Sequence, residues 1–158
     1  MEIVEYKGDI FSLVRQEALR PLVERWRDEA NNGPYQMALD VGWFLEHLTS
    51  LLWEDAVLLI LESDEGQPLG LMGLCVLASP LSGEPTLNEH MWYVLPEHRS
   101  MSVTRKFLDR AYEWGLSGGC KHFLLTASHL ANVDMERVSK LYGRLGFVPF
   151  ETVFIRSL

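Results

Sequence analysis

The stretch YVLPEHRSMSVTRKFLDRAYEWG, residues 93–115, decides how the chain is read. It opens as the end of a strand and closes as a helix. Val103, Phe107, Leu108, Ala111 and Trp114 fall on one helical face, and Arg105, Lys106, Asp109, Arg110 and Glu113 on the other. Between strand and helix lies a short turn carrying His98, Arg99, Ser100 and Ser102. Such a turn either reverses the chain, with a serine as an ordinary N-cap and Arg99 at the surface, or holds an anion. The first N–H groups of a helix lack intrahelical partners and sit at the positive end of its dipole. Arg99 adds a forked donor suited to phosphate oxygens. The turn alone leaves both readings open.

Working outward, Gly118 and Gly119 stop the helix, and KHFLLTA (121–127) reads as a strand. A helix follows from about Asp134 to Arg144, ended by Gly146, and the last eleven residues look extended. Upstream, AVLLILES (56–63), LGLMGLCVLA (69–78) and residues 86–94 read as three strands, with Gly66 and Pro68 supplying the first turn. Gly70 and Gly73 suggest bulges or close backbone approach. Further back, IVEY (3–6) forms a short strand. Asp9 caps a helical stretch from about Ile10 to Ala30, which Pro21 either kinks or divides by starting a new helix, and which NNGP (31–34) ends. Met37, Val41, Phe44, Leu45, Leu48, Leu51 and Leu52 mark one face of another helix. Three consecutive strands imply an antiparallel meander, and the later strand–helix–strand unit a parallel crossover. The expected fold is a mixed α/β (α+β) sheet flanked by helices, in one domain spanning residues 1–158.

Of 158 residues, 47% are hydrophobic and 23% charged, which suits a globular core. The net charge of −8 argues against a nucleic-acid partner, which needs a basic field, and mildly favours a cationic one. No apolar run approaches a membrane span, and MEIVEYKGD lacks the parts of a signal peptide. Cys75 and Cys120 sit in or beside apolar runs and read as buried free thiols, so a cytoplasmic location is expected. His47, His90, His98, His122 and His129 share no metal-ligand spacing, so no metal is expected. Neither a Walker loop nor a G-x-S-x-G elbow occurs.

WYVLPEHRSMSVTRKFLDRAYEWG, followed by LYGRLGF (141–147), resembles the GNAT acyltransferase superfamily, best over residues 88–150. In that family the turn typically reads V-x-P-x-x-R-G-x-G-x-G/A, and a later helix ends in Y-x-x-x-G-F. The resemblance implies that residues 99–104 wrap the pyrophosphate of acetyl-CoA, so Arg99, Ser100, Met101, Ser102, Val103 and Thr104 are binding candidates. Ser100, Ser102 and Thr104 stand where glycine or alanine is usual. Serine stays small and adds a hydroxyl, whereas β-branched Thr104 is bulkier. The resemblance also implies that a backbone N–H near Tyr93–Leu95 polarises the thioester, which makes Tyr93 and Val94 candidates. Tyr142 matches the tyrosine that protonates the departing thiolate. No good counterpart of the family's asparagine before the tyrosine helix occurs; Asn132 is nearby at the wrong spacing.

A base is needed because an amine of pKa about 10.4 pays roughly 4–5 kcal/mol to be neutral at pH 7. Many relatives carry a glutamate where Glu89 stands, and Glu89 acting through water is the favoured base. His90 has the better intrinsic pKa but the weaker positional match. Strand alternation groups Glu89 with Met91 and Tyr93, and His90 with Trp92 and Val94. Trp26, Tyr35, Trp43 and Trp53 are either core or the lining of an acceptor site. The resulting expectation is an N-acetyltransferase that uses acetyl-CoA and no metal. A small-molecule or protein amine would attack directly, since neither cysteine has a neighbouring base in sequence. A homodimer is a further expectation, as many relatives are dimers. The rival is an inactive module of the same fold that binds a protein or serves a structural part.

Overall fold

The computed structural model describes residues 1–7, 13–31, 39–51, 55–127 and 134–151. In chain order these form β1 (Glu2–Tyr6), α1 (Leu13–Ala18), α2 (Arg20–Ala30), α3 (Val41–Leu51), β2 (Ala56–Glu62), β3 (Pro68–Ala78), β4 (Pro85–Val94), a 3-10 turn (Pro96–His98), α4 (Met101–Ser117), β5 (His122–Leu124) and α5 (Met135–Arg144). Asp9, Ile10, Tyr35, Met37, Leu52, Trp53, His129, Asn132 and residues 152–158, which figure in the sequence reading, lie outside the described residues.

The strands lie side by side in the order of the chain, antiparallel from β1 to β4, with β5 parallel to β4. This is the expected meander with one crossover. AVLLILE in β2 is buried at every position because helices cover both faces of the sheet. Leu58 and Ile60 pack with Leu71, Tyr93 and the apolar sides of α2 and α3. Val57, Leu59 and Leu61 pack with Met72, Leu74 and Leu87 against Val103, Phe107 and Ala111 of α4. Each such buried side chain contributes about 1.5–3 kcal/mol relative to exposure.

Two local features matter for the site. Pro21 divides the first helical stretch in two: α1 ends at Ala18 and α2 starts at Arg20, where a missing N–H costs nothing. In β4, Leu74 pairs with Glu89 while Gly73 pairs with Met91, so His90 is an extra, bulged residue. Gly73 permits the close approach there: a Cβ would meet Met91 Cγ at 2.9 Å. The bulge corrects the expected alternation. Leu74 and Leu87 belong to the core on the α4 side, Met91 and Tyr93 to the opposite one. Opposed residues share a face, so Glu89 lies on the α4 side with Trp92 and Val94.

Candidate active site

β5 is shorter than expected, and its early end creates the site. It pairs with β4 only over Thr86–Asn88 and His122–Leu124. β4 continues to Val94, so residues 89–94 keep their outer edge free of a strand neighbour among the described residues. Leu95 N–H donates to Leu69 O at 3.0 Å, toward β3. Backbone groups alternate along an antiparallel strand. Of the Tyr93, Val94 and Leu95 amides, Val94 N–H is therefore the one directed to the open edge. Val94 O shares that direction and accepts from Arg99 Nε at 2.8 Å.

At the fork between the strands, Thr126 N–H donates to Glu89 Oε2 at 3.0 Å instead of joining the β4 backbone. Glu89 is 9% exposed. Burial pushes its carboxyl pKa up to about 7, and the Thr126 N–H pulls the other way by stabilising the charged form. Tyr142 Oη donates to Thr126 O at 3.4 Å, a long contact. The Tyr142 hydroxyl pKa is raised, first by burial and then by the negative charge of Glu89. The two candidate proton carriers thus meet at one residue, bound to its N–H and its C=O. His90, the alternative base, is exposed on the bulge.

The end of α5 explains how Tyr142 is aimed. Phe147 N–H donates to Tyr142 O at 3.0 Å and Gly146 N–H to Gly143 O at 3.2 Å, with Gly146 at φ 90°. This is a Schellman stop, whose usual hydrophobic contact joins the residues at positions C″ and C3. Here those residues are Phe147 and Tyr142, with ring centroids 5.9 Å apart. Phe123 of β5 packs edge-on against Phe147 at 5.7 Å. Asp134 caps the other end, its carboxylate accepting from Glu136 N–H and Arg137 N–H. A Gly146→Ala variant places a Cβ at positive φ and is expected to cost about 1–2 kcal/mol of stability. It should also lower turnover more than CoA affinity, because the stop carries Tyr142; melting curves and calorimetric titration check both.

The turn after β4 is built by local capping. Ser100 is the N-cap of α4, its Oγ accepting from Val103 N–H at 3.2 Å. Thr104 N–H donates to Ser100 O at 2.9 Å. As the first residues of α4, Met101 and Ser102 have no intrahelical acceptor for their amides. Met101 is 41% exposed, so its side chain does not bury that turn. Arg99, read from sequence as a phosphate fork, is engaged elsewhere: its two terminal nitrogens donate to Glu29 Oε1 and Oε2 at 2.8 and 2.6 Å. Sequence reasoning missed Glu29 and Thr126. Neither carries a local signal, since one is an ordinary acidic helix residue and the other acts through its backbone. Trp26 stacks on Tyr93 at 5.6 Å and meets Phe44 edge-on, so it is a packing residue, while Trp43 is 55% exposed.

The sequence matches the model of the acetyltransferase (GNAT) family over residues 18–147, and the chain belongs to that family. Among solved structures it is similar to a probable acetyltransferase, with 22% identity, a TM-score of 0.72, and 100% of this chain and 97% of that one covered. It is also similar to a ribosomal-protein-alanine N-acetyltransferase from Brucella melitensis biovar Abortus 2308, at 17% identity and a TM-score of 0.71, both chains covered in full. A third is AAC(6')-Iy in complex with the bisubstrate analog CoA-S-monomethyl-acetylneamine, at 18% identity and a TM-score of 0.64, with 99% of this chain and 97% of that one covered. At these identities the likeness concerns the fold. Comparison with curated protein sequences gives no match.

Proposed function

We propose that this chain, as one domain, transfers an acetyl group from acetyl-CoA to an amine by direct attack, with Glu89 as base and Tyr142 as acid. The observation that carries the reading is the convergence of both side chains on Thr126, where β5 parts from β4. An extended, amide-bearing pantetheine arm suits the unpaired edge of residues 89–94. The diphosphate suits the Met101 and Ser102 amides, with Ser100, Val103 and Thr104 shaping the turn. Val94 N–H is the donor for the thioester oxygen, and Tyr93 backs it from the other face.

The proton inventory fits the electrostatics. Glu89 as carboxylate, directly or through a water, takes the proton the amine must lose. The nitrogen then bonds to the thioester carbon, the C–S bond breaks, and Tyr142 protonates the sulfur. A tyrosine with raised pKa is a poor acid for a thiolate of ordinary pKa. Yet part of that rise comes from the Glu89 charge, which vanishes once Glu89 is protonated. Deprotonating the amine therefore makes Tyr142 more acidic at the moment its proton is required.

Acceptors of the similar proteins include aminoglycosides: one is an aminoglycoside antibiotic 6'-N-acetyltransferase from Acinetobacter haemolyticus. The net charge of −8 supports a cationic amine here as well. Calorimetric titration with CoA tests the reading. Micromolar binding is expected, followed by thiol release from acetyl-CoA with a suitable polyamine or aminoglycoside. No binding at millimolar CoA overturns it in favour of an inactive module of the same fold.

A further inference from the structure

The turn at Arg99 carries a partnership that the reaction proposed above does not use. The Arg99–Glu29 pair joins the turn to α2 across 70 positions of sequence, with side chains 37% and 21% exposed. The Arg99 guanidinium also lies over the Tyr93 ring, 5.4 Å from its centroid. Tyr93 is 2% exposed, yet among the described residues its hydroxyl makes no hydrogen bond of normal geometry. A buried hydroxyl left in this way is costly, and native structures seldom keep one without a reason. Burial first, then the charge of Glu29 and a weak hydrogen-bonding attraction to its carboxylate, raise the pKa of that hydroxyl, while Arg99 and Arg25 act the other way. Arg25 itself is held by Glu97 at 3.3 Å. That donor thus sits beside a carboxylate each of whose oxygens already accepts from Arg99.

Resting on the proposed CoA site, we infer that Glu29 is a built-in competitor for the diphosphate. When CoA binds, Arg99 exchanges the Glu29 carboxylate for phosphate oxygens, and the Tyr93 hydroxyl donates to the carboxylate that Arg99 leaves. The guanidinium fork suits both anions, but one fork edge serves one anion at a time. Stripping a half-buried carboxylate of its only fork would be prohibitive if nothing replaced it. The Tyr93 hydroxyl is that replacement, which accounts for its lack of a normal hydrogen bond when Arg99 and Glu29 are joined. The exchange makes α2 the element that registers whether the donor is bound.

The test is calorimetric titration of CoA and of pantetheine, which lacks the diphosphate, into wild type and variants. Glu29→Gln removes the competitor and is expected to tighten CoA binding by about threefold to tenfold. Tyr93→Phe removes the replacement donor and is expected to weaken CoA binding by a similar factor. It should leave the melting temperature of the ligand-free protein unchanged or higher. Neither variant should alter pantetheine binding. Glu97→Gln, on the same turn, controls for the general loss of negative charge and should change CoA affinity less than about twofold. Should Glu29→Gln fold poorly, Glu29→Asp shortens the carboxylate's reach and is expected to tighten CoA binding in the same sense. CoA affinity unchanged by these substitutions, tightened equally by Glu97→Gln, or unaffected by Tyr93→Phe overturns the exchange. A wild type that binds no CoA overturns instead the function proposed above, so the two failures are distinct.

Discussion

A Tyr142→Phe variant is expected to lose about 10²–10³-fold in kcat while binding CoA as tightly as wild type. The reason lies in what the substitution leaves alone. The phenyl ring still packs on Phe147 across the stop of α5, so the helix and the aromatic contact remain. Only the hydroxyl at Thr126 O disappears, and that contact is too long to hold much of the fold together. The lost activity would therefore report proton delivery to the departing sulfur. The signature is a rate that recovers with acyl donors whose thiol leaves as a stable thiolate, because such a leaving group does not need the proton. Steady-state assays with acetyl-CoA and with an activated aryl thioester read this difference. Equal loss with both donors would remove Tyr142 from the acid's role.

Glu89→Gln should cost about 10²–10⁴-fold in kcat/KM and gain stability at the same time. The wild-type rate is expected to fall below about pH 7, tenfold per pH unit, as the buried carboxyl takes up its proton. In the variant that limb disappears. The stability effect follows from the same burial. The folded-state pKa of about 7 lies above the ordinary carboxyl value of 4.5, so the folded protein binds the proton more tightly than the unfolded chain. No penalty exists below about pH 4.5. Stability is lost as the pH rises through about 7, reaching roughly 3 kcal/mol at most above it. A neutral glutamine avoids that loss and still offers an oxygen to Thr126 N–H. Denaturation at pH 5 and pH 8 checks this: the advantage of the variant should be large at pH 8 and small at pH 5. A variant less stable than wild type at pH 8 would show that the carboxylate is held by interactions stronger than its desolvation.

Much of this arrangement was legible from short spans. The apolar face of α4 follows from helical spacing at Val103, Phe107 and Ala111, and all three are buried. The phrase LYGRLGF is a helix stop written in seven residues, and the same glycine that ends α5 orients the tyrosine before it. Three consecutive strands, each bounded by turn residues, pointed to a meander, and they pair as one. The cleft was harder to read. The residues that close it, Glu89 and Thr126, are 37 positions apart, and the contact uses a backbone amide that no residue type announces. Alternation along β4 suggested the wrong companions for Glu89, because a bulge at His90 resets the period. Gly70 and Gly73 hinted at a bulge, and Gly73 is the one that lies opposite it.

That Ser100 rather than Ser102 caps α4 came from the structure, whereas residue spacing alone settled the order of strands and helices, the covered face of α4 and the place of Tyr142 at the end of α5. These depend on spacing within a few residues, which backbone geometry converts directly into direction. The tertiary structure decided which face of the sheet Glu89 occupies, where β5 leaves β4, and that Arg99 holds Glu29. Those outcomes depend on registers and ion pairs between segments far apart in the chain, and no local periodicity encodes them.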